Sequence, residues 1–273
     1  MSGSVRKPPK DQIDPVERRK ERDYKKEAEE ENLWESIVQP AFAEFAGTFF
    51  YAFMVCLAVT AQDVLEYAIA SGLGIAALCI SFVNISGGHF NPAISLAAFV
   101  SGGLHIVNLL CYLPLQLVGA VLGAAFVKAA LYESTYEEIK GGASVFRGNH
   151  LVNGFNDWMK VNNWDTSPYL AMITETLLAT MVVMAYLQAN VDERRAGKKK
   201  DPMVYGIAIA SVTIASFYTA GGGFNPAVSF GSAIVSDTWD AHYIYWVGPM
   251  AGAAIASLFF RILLGDEDHR LLC

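Results

Sequence analysis

Six stretches of this chain, at about 40–61, 65–83, 105–131, 167–190, 203–220 and 241–264, are almost wholly apolar. A helix rises about 1.5 Å per residue, so ~20 apolar residues reach across ~30 Å of hydrocarbon. In hydrocarbon every backbone N–H and C=O must find its partner within the protein, which leaves helices and closed barrels as the spanning forms. The runs are long, continuous and free of the alternation that marks a barrel strand, so the expected fold is an all-α membrane protein with six transmembrane helices. Gly119/Gly123 and Gly248/Gly252 recur at four-residue spacing, the pattern that lets helix backbones approach closely in lipid. Composition agrees: 53% hydrophobic against 17% charged residues and a mean hydropathy of +0.31 exclude a disordered, collagen-like or nucleic-acid-binding chain.

The charges are segregated. Residues 1–31 carry 9 of the 20 Lys and Arg and 9 of the 27 Asp and Glu, so the overall −7 arises elsewhere. Such a mixed-charge segment cannot bury enough apolar surface to fold alone, and 1–33 reads as a solvated tail. Five basic residues fall in 191–202 (Arg194, Arg195, Lys198, Lys199, Lys200), whereas the 35 residues of 132–166 hold three, Lys140, Arg147 and Lys160. With six spans, the positive-inside rule puts both termini and the 191–202 loop in the cytoplasm and 132–166 outside. The membrane-spanning body is expected over 34–266, with repeat one at about 40–131 and repeat two at about 167–264, and a short tail at 267–273.

Between spans two and three, and again between five and six, lies a short apolar piece too small to cross. Gly87 to Ala97 (GGHFNPAISLA) and Gly221 to Gly231 (GGGFNPAVSFG) agree at seven of eleven positions. The two Asn stand 134 residues apart; Glu44 answers Glu175 at 131 and Gly119 answers Gly252 at 133, so the halves are copies. Each copy holds three spans, an odd number, so the second is inverted relative to the first, an arrangement that places sites where the repeats meet. In both motifs Asn91 and Asn225 suit a helix N-cap, and Pro92 and Pro226 the first helical position, followed by Ala93 and Ala227. About 10–12 residues follow, a helix of roughly 15–18 Å that reaches only halfway across. Two such half-helices meet N-terminus to N-terminus, each pole carrying about half a positive charge, which repels cations and suits a neutral, hydrogen-bonding permeant. Capping uses the Asn oxygens, and the expectation is that the amide N–H groups are left for a lumen.

These residues resemble a known family. Two Asn-Pro-Ala motifs on inverted three-span repeats, the AEFAGTFF opening of span one, and the SGGHFNPA and NPAVSFGSA loops are similar to the aquaporins of the major intrinsic protein family, over about 40–264. The resemblance implies a right-handed helical bundle with two re-entrant half-helices, assembled as homotetramers in the bilayer, each monomer enclosing a passive pore. Ser229, Ala233, Tyr245 and Trp246 resemble water-selective members; glycerol facilitators usually carry Asp where Ser229 stands. The family's narrow outer filter maps, counting without gaps from the Asn anchors, onto Ser71, Thr213, Gly222 and Val228. Val228 replaces the filter Arg, so the implied constriction is wider and more neutral, admitting water together with glycerol, urea or ammonia. The alternatives are a solute facilitator with low water flux and a mainly structural, junction-forming tetramer.

Glu44 and Glu175 sit within apolar spans, where a carboxylate is costly. Support of the motif loops through backbone N–H bonds is the expected role, ahead of a proton relay. His89 adjoins the first motif at the inner mouth, and Phe90 and Phe224 read as pore-wall and packing residues. Cys56, Cys79, Cys111 and Cys273 show no paired spacing, and neither HExxH nor GxSxG occurs. No enzyme activity, metal or cofactor is expected.

Overall fold

Each apolar run becomes a helix, and polar caps or prolines mark the start of all but the last. The computed structural model describes residues 33–145, 167–192, 194, 200–217 and 219–271. The charged tail before residue 33, the 146–166 part of the long connection, most of the basic 193–199 stretch and residues 272–273 lie outside the described residues. The first span is α1 (Gln39–Ala58), led by a π-helical turn at Trp34–Val38. The next is α2 (Val64–Phe82), whose N-cap Asp63 accepts hydrogen bonds from the backbone of Leu65 and Glu66 at 2.8 and 3.0 Å. The half-helix α3 (Pro92–Val100) and the long α4 (Ile106–Ala130) complete the first repeat. A short α5 (Glu133–Glu138) follows. The second repeat runs α6 (Pro168–Asn190), α7 (Pro202–Ser216), half-helix α8 (Pro226–Ser236) and α9 (Ile244–Phe259), the last continued by a π turn at Phe260–Leu264.

Five of the described helices are long and apolar enough to cross a membrane; the sixth apolar run, α7, has 15 residues and ends at Ser216, short of the expected 220. The cause is local. The Ser216 carbonyl accepts from the N–H groups of Thr219, Ala220 and Gly221, a tight turn, and Gly221 and Gly222 then take left-handed φ values of 82° and 75° that only glycine adopts freely. The half-helices have 9 and 11 residues, roughly 14 and 17 Å long.

Packing repeats with the sequence. Helix α1 packs on α4 as α6 packs on α9; α8 rests on α4 as α3 rests on α9; α2 crosses α7 between the halves. Small residues make these contacts possible. A Cβ on Gly119 would come within 2.5 Å of the Phe45 carbonyl, and one on Gly252 within 2.7 Å of the Thr176 carbonyl, so both four-residue glycine pairs lie in helix contacts of the same kind. The outside of the bundle is apolar, with Phe42, Phe50, Leu73, Leu110, Leu177 and Ile207 exposed, while Glu44, Asn91, Gln116 and Glu175 are buried. That inversion of the usual water-soluble pattern suits a hydrocarbon solvent.

Candidate functional site

The two Asn-Pro-Ala segments come together at the centre of the bundle. Asn91 is extended at φ −157° and caps α3, its Oδ1 accepting from the Ala93 N–H at 2.9 Å. Asn225 caps α8, accepting from Ala227 at 3.1 Å and Val228 at 3.4 Å. Each amide then reaches across the repeat interface: Asn91 Nδ2 donates to the Phe224 carbonyl at 3.0 Å, and Asn225 Nδ2 to the Phe90 carbonyl at 2.7 Å. The half-helices therefore meet N-terminus to N-terminus. An amide has two N–H groups, so each Asn spends one on the opposite repeat rather than leaving both for a lumen.

Glu44 organises the first loop. Its Oε1 accepts from Ser86 Oγ at 2.6 Å and the His89 N–H at 2.9 Å, and its Oε2 from the Phe90 N–H and Gln116 Nε2 at 2.6 and 2.7 Å. Glu175 is equally buried but holds its loop by one bond, from the Gly223 N–H to Oε1 at 3.2 Å; its Oε2 has no hydrogen-bond partner among the described residues. The repeat explains the difference. Ser86 and Gln116 correspond, at the offsets of 134 and 133, to Ala220 and Pro249, neither of which carries a side-chain donor.

Two cavities flank the paired asparagines. One, of about 20 Å³, is lined by Ser71, Thr213, Gly222, Val228, Phe224 and Asn225, among others, and none of its lining residues is charged. All four filter positions counted from the sequence thus face one space. The other, of about 260 Å³, opens on the face that bears the start of α1 and is lined by Ser86, His89, Tyr186 and Lys200, among others. His89 Nδ1 lies 3.0 Å from Ser95 Oγ, and its ring packs edge-on against Tyr112 and Tyr186. Lys200 Nζ donates to the Val83 carbonyl at 3.1 Å, and burial lowers its pKa from the ordinary lysine value. Phe90 is a packing residue: its ring lies against Gly47 and edge-on to Phe82, lines neither cavity, and only its carbonyl joins the central pair. Ser86, Gln116, Ser144 and Tyr67 escaped the sequence reading. Gln116, an amide in the middle of an apolar run, carried a usable signal; Ser144, in a connection without a repeated counterpart, carried none.

The sequence profile of the family described as Major intrinsic protein matches residues 31–260. The chain belongs to the major intrinsic protein family. Among its relatives, the aquaporin-8 of Mus musculus is 32% identical over 244 residues, covering 88% of this chain and 87% of that one. Aquaporin C of Dictyostelium discoideum is 33% identical, covering 82% and 80%. The lens fiber major intrinsic protein of Homo sapiens is 34% identical, covering 85% of each. The fold is shared with the X-ray structure of the aquaglyceroporin from Plasmodium falciparum, at a TM-score of 0.68 and 20% identity over 82% of this chain and 95% of that one. As a major intrinsic protein the chain is an integral membrane channel and not an enzyme.

Proposed function

We propose that this major intrinsic protein is a passive channel for water and small neutral solutes, with ammonia, urea and glycerol in order of decreasing ease. The observation that carries this reading is the uncharged cavity bounded by Ser71, Thr213, Gly222 and Val228 next to the Asn225 cap. Val228 stands immediately after the second motif, so the first turn of α8 presents an aliphatic side chain where a guanidinium would add charge and five donors. Small side chains at the four positions leave a neutral opening, and the polar partners of a permeant are hydroxyls, backbone groups and the Asn225 amide, set among apolar side chains. The two opposed half-helix poles supply the remaining barrier to cations. In this reading Glu44 and Glu175 hold the motif loops in place, and Glu44 does so with its full set of acceptors.

The basic 191–202 connection supports a cytoplasmic position for that face and for both termini, with the Ser71 cavity opening outward. The channel body over 34–266 is taken to assemble as a homotetramer, each copy conducting separately; the apolar exterior offers surface for lipid and for neighbouring copies. Val228→Arg tests the filter. In vesicles carrying the full-length chain, urea and glycerol flux relative to water should fall by roughly tenfold, about 1.4 kcal/mol of added barrier. An unchanged ratio would show that Val228 does not face the solute path.

A further inference from the structure

On the side placed outward, two cavities adjoin at a neck of shared lining residues. The outermost, of about 90 Å³, lies among Asp63, Glu138, Lys140 and Phe217; the next, of about 20 Å³, holds the four filter positions. Three residues, Tyr67, Gly142 and Ser144, line both. We propose that this neck, one helical turn outside the filter positions, sets the size limit of the pore, with Tyr67 as its specificity-determining side chain. The proposal rests on the neutral-solute channel reading and adds the site that decides which solutes pass.

Tyr67 precedes Ser71 by one turn of α2, and Ser71 Oγ donates to the Tyr67 carbonyl at 2.8 Å. Behind the phenol ring stands Phe217, one residue past the end of α7, with ring centroids 5.9 Å apart and planes tilted by 52°. Together they make an aromatic wall. The facing wall is the turn after Lys140, fixed at two points. Gly142 has a φ of 74°, and a Cβ there would lie 2.6 Å from the Cys56 Cα, so the turn lies directly on α1. Ser144 Oγ is 2.9 Å from Ser229 Oγ in the first turn of α8, which pins the turn to the half-helix. With one wall backbone and small side chains, the Tyr67 ring is the bulkiest group in the neck.

Size follows from volume. A water needs about 10–15 Å³ of such space, so a cavity of 20 Å³ holds roughly one water. The fall from about 90 to about 20 Å³ comes at the residues the two cavities share, which puts the Tyr67 ring where a urea or glycerol meets the tighter space. Ser144 is a positioning residue: it holds the facing wall at its distance from the ring.

The test is stopped-flow flux of water, urea and glycerol through vesicles containing the full-length protein. Tyr67→Ala should raise the glycerol-to-water ratio by roughly threefold or more, since it removes the ring from the constriction. Tyr67→Phe, which keeps the ring, should hold the wild-type ratio. Ser144→Ala, which frees the turn from Ser229, should move the ratio the same way by a smaller factor and serves if Tyr67→Ala does not reconstitute. A general packing defect lowers all three fluxes together, so an unmoved ratio in Tyr67→Ala and Ser144→Ala overturns the neck. Wild-type vesicles separate the two claims. No water flux above empty vesicles removes the channel reading itself, whereas water flux with an unmoved variant ratio removes only the neck.

Discussion

Glu44 and Glu175 occupy corresponding positions in the two repeats and do unequal work. Removing Glu44 leaves the Ser86 hydroxyl and two backbone N–H groups without their acceptor and the Gln116 amide with Ser95 Oγ alone, and a buried orphan costs about 1–3 kcal/mol each. Removing Glu175 orphans the Gly223 N–H alone. Thermal unfolding in detergent should therefore fall much further for Glu44→Ala than for Glu175→Ala; equal losses would mean that the hydrogen bonds around Glu44 add nothing. Both carboxylates were legible in the sequence, because an acid inside an apolar run is conspicuous and the repeat pairs them. The inequality was not, since it depends on Ser86 and Gln116 folding back over 42 and 72 residues and on Ala220 and Pro249 in the second copy. The exchange of Asn amides with Phe90 and Phe224 carbonyls was equally hidden. A repeat offset predicts equivalent places, not what those places touch.

Among the elements, apolar length located the helices well and their ends less well. The half-helices are visible because Asn-Pro-Ala recurs in matched contexts of the two repeats, while the early end of α7 depends on a turn onto the Ser216 carbonyl that apolar composition does not reveal. The Gly142–Ser144 wall lies in a connection with no counterpart in the other repeat, so no internal comparison could single it out. The α8–α9 connection carries a titratable group. His242 Nε2 accepts from Trp246 Nε1 at 3.1 Å, its ring lies 4.9 Å from that of Trp239, and burial lowers its pKa from the ordinary histidine value. The unfolded chain protonates this residue near pH ~6.5, and the folded protein resists doing so. The stabilising contribution is thus complete above ~6.5 and is lost as pH falls through the lowered folded value. The midpoint of thermal unfolding should drop on going from neutral to mildly acid pH, and His242→Gln should shrink that drop; an identical drop in the variant would remove His242 as a cause.

At the scale of the whole molecule, the apolar majority of the sequence goes to the outside of the bundle and to helix contacts, and the few polar residues gather at the centre where the repeats meet. Inversion brings two cap residues and two partial charges of the same sign to one place, which no single span could provide. In the proposed reading, an uncharged filter entered past the Tyr67 ring makes size and hydrogen bonding the grounds of selection. The most direct measurement is stopped-flow light scattering of vesicles carrying the wild-type chain, challenged first with an impermeant sugar and then with urea. Shrinkage faster than in empty vesicles, followed by accelerated re-swelling in urea, is the predicted result. Fast shrinkage without accelerated re-swelling would contradict the neutral, widened filter, and shrinkage no faster than in empty vesicles would contradict the channel.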